Sequence, residues 1–148
     1  MVSTTGLAPR RADRLGALGA RVLGAALVAA NGWIHLDLYR TGYRTLHIIG
    51  PLFALNAALG AVLALAVLAV PRRWLGLTAL AASLFQFGTL AALLLSATVG
   101  LFGFKETLDA HLAPAAIAVE SIGGLVLLAL AISELRGRPV ALRTRRYR

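Results

Sequence analysis

Three histidines and three acids stand near the ends of long apolar runs: His35, His47 and His111, with Asp37, Glu106 and Asp109. Imidazole and carboxylate together suit a divalent metal, and two histidines can hold a haem iron from opposite sides. The plainer alternative is that histidines tolerate membrane interfaces and that the acids are solvated loop groups. Spacing restricts the first reading. His35 and Asp37 are two residues apart, roughly 200° around a helix, so one ion takes both only if the helix ends between them. The chain contains no cysteine, which removes disulfides, thiolate metal sites and thiol redox chemistry.

A second polar set lies deeper in the apolar runs. Counting inward at the helical rise from boundaries at Tyr39, His47 and Leu112 places Asn31, Asn56 and Glu120 in one layer about 12 Å deep, with Gln86 deeper in another segment. A carboxyl inside a bilayer costs about 2.5–3.5 kcal/mol on insertion scales, so Glu120 is expected to face other helices and share hydrogen bonds with an amide. Asn31 and His35 are four apart and share a helical face leading toward one end of the layer. This set reads either as a proton or cation path or as polar glue between helices.

The elements that position these groups follow from the apolar runs. The chain has 148 residues, 59% of them apolar and 14% charged, with a mean hydropathy of +0.79. Four spans are expected over about 15–38, 48–70, 74–99 and 112–133, joined by short connections. The fold class is therefore all-α, a transmembrane four-helix bundle. Residues 1–14 read as a disordered basic cytoplasmic tail and 136–148 as an Arg-rich cytoplasmic tail flanking the 15–135 membrane domain. A cleaved signal peptide is the rival reading of the N-terminus, since Val28-Ala29-Ala30 fits a small-x-small site, but apolar sequence continues through Leu38.

Base distribution gives an orientation. With both termini inside, twelve Arg residues fall on the inner side and only Arg40, Arg44 and Lys105 outside. That asymmetry argues against a dual-topology exporter and for a multi-pass plasma-membrane protein with both termini cytoplasmic. The net charge of +9 does not indicate nucleic acid, because the bases sit at span ends and in the tails rather than on a soluble face. Tyr39, Tyr43, Phe102 and Phe104 at the outer boundary and Trp74 at the inner one form an aromatic belt. Small residues recur every fourth position around Gly24 in the first span and at Gly88, Ala92 and Ser96 in the third, which suits close helix packing within the bundle or between protomers.

An internal repeat is also expected. Gly42–Pro51 and Gly103–Pro114 share the order glycine, aromatic, base, Thr-Leu, His, Pro, and each precedes a span ending in Arg72 or Arg136. The two hairpins are then parallel two-helix repeats about an axis along the membrane normal, which pairs Asn56 with Glu120 and His47 with His111.

Ile34-His35-Leu36, Gly42-Tyr43-Arg44, the run from Ile49 to Asn56 and the run from Thr98 to Glu106 resemble the uncharacterised small four-span integral membrane proteins of actinobacteria. The resemblance implies location and fold and supplies no catalytic residue. The expected function is a non-enzymatic membrane component that sits in the lipid bilayer, without a cofactor, and associates with itself or a larger membrane complex. Two alternatives stand beside it. One is a small proton, cation or solute transporter using Glu120. The other is a membrane redox protein holding haem or a divalent metal through His47 and His111, with His35 as a spare ligand.

Overall fold

The computed structural model describes residues 11–137, with side chains from Leu15 onward. Residues 1–10 and 138–148, which carry most of both expected tails, lie outside the described residues. The elements are α1 (Arg11–Thr41), a short 3-10 turn (Tyr43–Thr45), α2 (Ile49–Ala69), α3 (Arg72–Thr98) and α4 (Ala113–Arg136). The shortest α-helix, α2, has 21 residues, enough at about 1.5 Å per residue to cross a hydrocarbon layer of about 30 Å. All four are long and apolar enough to span a membrane. The membrane-capable part of α1 runs from Leu15 to Thr41, past the expected end at 38, and the helix itself starts earlier, at Arg11.

Burial is inverted relative to a water-soluble protein. Gln86, Glu120, Asn31 and Ser83 are among the largest fully buried side chains, while Trp33, Leu65, Leu84 and Leu125 are 61–67% exposed. Lipid tails are as apolar as leucine, so such exposure costs little in a bilayer, whereas polar groups find partners only between helices.

Local chemistry sets the turns. Val70 precedes Pro71, which disfavours helical backbone; Val70 is extended (ψ 142°), so α2 ends at Ala69. Pro71 then caps α3, with the Trp74 amide donating to its carbonyl at 2.8 Å. Arg21 of α1 satisfies the open end of α2: its Nε donates to Val67 O at 2.6 Å and its Nη2 to Leu68 O at 2.8 Å and Val70 O at 2.6 Å. The cation also lies at the negative end of the α2 dipole. Arg21 therefore acts as a side-chain cap on a neighbouring helix. At the same end Arg72 of α3 forks onto Glu134 of α4 at 2.9 and 3.2 Å.

The hairpins α1–α2 and α3–α4 are tightly packed, α1 also packs along α4, and α2 and α3 touch sparingly. A two-fold relation between the hairpins would make α1–α4 and α2–α3 alike, so the relation is not exact. Glycines fix the closest approaches. A Cβ on Gly60 would lie 2.9 Å from Gly32 Cα, backbone against backbone, and a Cβ on Gly24 would lie 2.7 Å from Leu127 Cδ2. The arginine end of the bundle is filled by Ala25, Val28, Val67, Ala79, Leu127 and their neighbours, whereas the opposite, histidine end has a smaller cluster of Ile34, Leu38 and Ala116, with Ile49 and Ala113 also buried there.

Candidate functional site

Beneath the thin core at the histidine end lies a hydrogen-bonded polar layer. Asn31 Nδ2 donates to Gln86 Oε1 at 2.7 Å, and Gln86 Nε2 donates to Val119 O at 3.3 Å. Thr89 Oγ1, 3.4 Å from Asn31 Nδ2, donates to Gln86 O at 2.9 Å. Ser83 Oγ donates to Gly124 O at 2.9 Å. Adjacent glycines on α4 make room for these side chains: a Cβ on Gly123 would collide with the Gln86 amide nitrogen, and one on Gly124 would lie 2.7 Å from the Phe87 ring. Asn31 thus joins Gln86 rather than forming a level ring with Asn56 and Glu120. The reason is the length of α1: with the helix ending at Thr41 instead of Tyr39, Asn31 is two residues deeper than the count assumed.

Above this layer, where α2 and α3 stand apart, is a cavity of about 130 Å³. Asn56 lies seven residues after the start of α2 at Ile49 and Glu120 seven after the start of α4 at Ala113. Both are therefore about 10 Å into their helices, and both line the cavity. Ser96 lines it nearer the histidine end, and His35 lines the α1 side, with its Nδ1 3.0 Å from Asn31 O and its ring 5.0 Å from Phe53. Asn56 Oδ1, Ser96 Oγ and Glu120 Oε2 are buried without a hydrogen-bond partner, as is Asn31 Oδ1 below. Buried polar atoms are nearly always paired, so three unpaired ones around a single cavity require an occupant or explanation.

The connections make its roof. Tyr43 stacks on Phe53 (centroids 4.5 Å), meets Phe104 edge-on at 5.6 Å and donates its hydroxyl to Glu106 Oε2. Burial, then the Glu106 hydrogen bond and charge, push the Tyr43 phenol above its ordinary range. The 99–112 connection reaches this position through a tight turn with paired Leu101 and Phe104 backbones, for which Gly100 (φ +86°) and Gly103 (φ +78°) supply left-handed backbone. The Glu106 amide then donates to Ser96 O at 3.3 Å.

The histidines separate into different environments. His35 and His111 line the cavity; His47 is exposed on the first connection and does not. His111 Nε2 lies 3.9 Å from Asp37 Oδ2, a loose exposed pair. Among the described residues no three His, Asp or Glu side chains gather as a metal-ligand set. A cavity of about 130 Å³ is also well below the about 300–1,000 Å³ typical of cofactor and drug sites. Of the small-residue stripes, Gly24 packs on α4, Gly88 has nothing within 4 Å, and Ala92 and Ser96 line the cavity. Within the bundle, Gly123 and Gly124 have the close-packing role expected of Gly88.

Thr89 was not among the residues expected to form a site, Tyr43 and Phe104 were expected only as belt aromatics, and Glu106 was expected only as a candidate metal ligand or solvated acid. One signal for Thr89 was available: Ser83, Gln86, Thr89 and Ser96 follow helical spacing and mark the inward face of α3. Gly88 is turned about 100° from Thr89, onto a different face.

Fold and site together define a multi-pass α-helical membrane protein with an acceptor-rich cavity near one membrane surface. Comparison with protein-family models, curated proteins and solved structures finds no match.

Proposed function

We propose that this is a non-enzymatic plasma-membrane protein of the small actinobacterial four-span kind, with both termini cytoplasmic, that binds a small ligand in the outer half of its bundle. The observation that carries the reading is the cavity with three unpartnered buried polar atoms, from Asn56, Ser96 and Glu120. The orientation rests on the twelve-to-three distribution of bases, which puts the histidine end outside. Binding is favoured over conduction because Val28, Val67, Ala79 and Leu127, each wholly buried, fill the bundle at the arginine end below the polar layer. Ser96 Oγ makes no hydrogen bond to a histidine or carboxylate among the described residues, which favours a binding role over a catalytic one. Self-association is a second part of the reading, supported by the open surface at Gly88 beside Leu84, which is 64% exposed.

The test is thermal stabilisation of the detergent-purified protein by a panel of four-carbon solutes (n-butylammonium, n-butanol, butyrate) and by sodium ion. At least one should stabilise the wild type and fail to stabilise Ala92→Phe, which fills the cavity. A panel that acts equally on both proteins, or on neither, would overturn the reading.

A further inference from the structure

We propose that the occupant is a small organic ammonium, its charged head between Glu120 and Asn56 and its apolar body along Leu38, Phe53 and Leu93; this deepens the ligand-binding reading above and rests on it. The charge of the lining is the first argument. The chain carries 15 Lys and Arg against six acids, yet among the described residues no Lys or Arg lines the cavity, while Glu106 and Glu120 both do beside His35 and His111. A lining with two carboxyls and no permanent cation among the described residues favours positive ligands over anions.

Hydrogen-bonding capacity gives the second argument. The unpartnered atoms on the floor are Asn56 Oδ1, an acceptor, and Glu120 Oε2, an acceptor when the carboxyl is ionised, and Glu120 is 1% exposed. An alkylammonium offers three N–H donors and no acceptor, which complements them. A carboxylate left alone in low dielectric is costly, and a matched cation removes that penalty.

Size and wall chemistry separate an organic from an inorganic cation. About 130 Å³ is close to the about 150 Å³ cavity that takes up benzene, so the occupant has about half a dozen heavy atoms. Asn56, Ser96 and Glu120 offer oxygens to any cation, but the rest of the wall (Leu38, Leu52, Leu93, Ala116, Phe53 and Phe104) is apolar and aromatic, which suits an alkyl body and a cation over an aromatic ring better than a hydrated metal ion.

The experiment uses the full chain in lipid nanodiscs and follows n-butylammonium binding by saturation-transfer NMR, with n-butanol as the neutral isostere and sodium chloride as competitor. The wild type should bind n-butylammonium about tenfold or more tighter than n-butanol, the scale expected of a hydrogen bond to a charged group. Glu120→Gln should abolish the preference, and His47→Ala, outside the cavity, should keep it. Equal binding of the two isosteres, a preference that survives Glu120→Gln, or full displacement by equimolar sodium would each overturn the proposal. The isostere comparison on the wild type stands even if Glu120→Gln does not fold. Solutes that bind without charge preference, and are lost in Ala92→Phe, would defeat the ammonium assignment while leaving the ligand-binding reading intact; absence of any binding would end both.

Discussion

Tyr43 joins the two connections at the histidine end, and its ionisation reports on them. Its phenol is raised by burial first and by Glu106 second, so the folded state holds the proton more tightly than the unfolded chain. That contribution to stability is complete below the ordinary tyrosine range of about 10 and is lost as pH rises through the higher folded value. Phenolate absorbance, taken as the difference between wild type and Tyr43→Phe, should therefore appear above the ordinary range. Glu106→Gln should bring it only partway back, because burial remains. Identical titrations for wild type and Glu106→Gln would show that the roof hydrogen bond does not form. Neither partner was legible from sequence as more than a belt aromatic and a solvated acid, since their meeting depends on how two connections 63 residues apart fold over one end of the bundle.

At the scale of the elements, α1 and α2 meet where Gly32 faces Gly60, and there is no flexible side chain to give way. Gly60→Ala sets a Cβ 2.9 Å from the Gly32 backbone and should cost about 1–3 kcal/mol. Gly88→Ala meets nothing and should stay within about 0.5 kcal/mol. Equilibrium unfolding in mixed micelles distinguishes the two, and equal effects would contradict the packing described. The spans themselves were legible to within a few residues for α2, α3 and α4, because Pro71 and Pro114 and the lengths of the apolar runs fix them locally. Which small residues pack was less legible: every-fourth-position spacing picked out Gly88, while the polar stripe from Ser83 to Ser96 marks the face that turns inward.

For the whole molecule, Asn56, Glu120 and His35 could be recognised in sequence as membrane-embedded polar groups, but the cavity they share could not. It exists because α1 packs against both α2 and α4 while α2 and α3 stand apart, an order around the bundle that no single span encodes. The central claim is that this cavity, in the half of the bundle we propose faces outward, takes up a small cation from that side. The absence of native cysteine permits a clean test with Ser96→Cys, a near-isosteric change at a position that is 6% exposed. A small membrane-impermeant cationic thiosulfonate, applied to intact cells, should label Cys at this position from outside, and n-butylammonium should slow the reaction. Labelling only in inverted membrane vesicles, or none until the protein is denatured, would contradict the account.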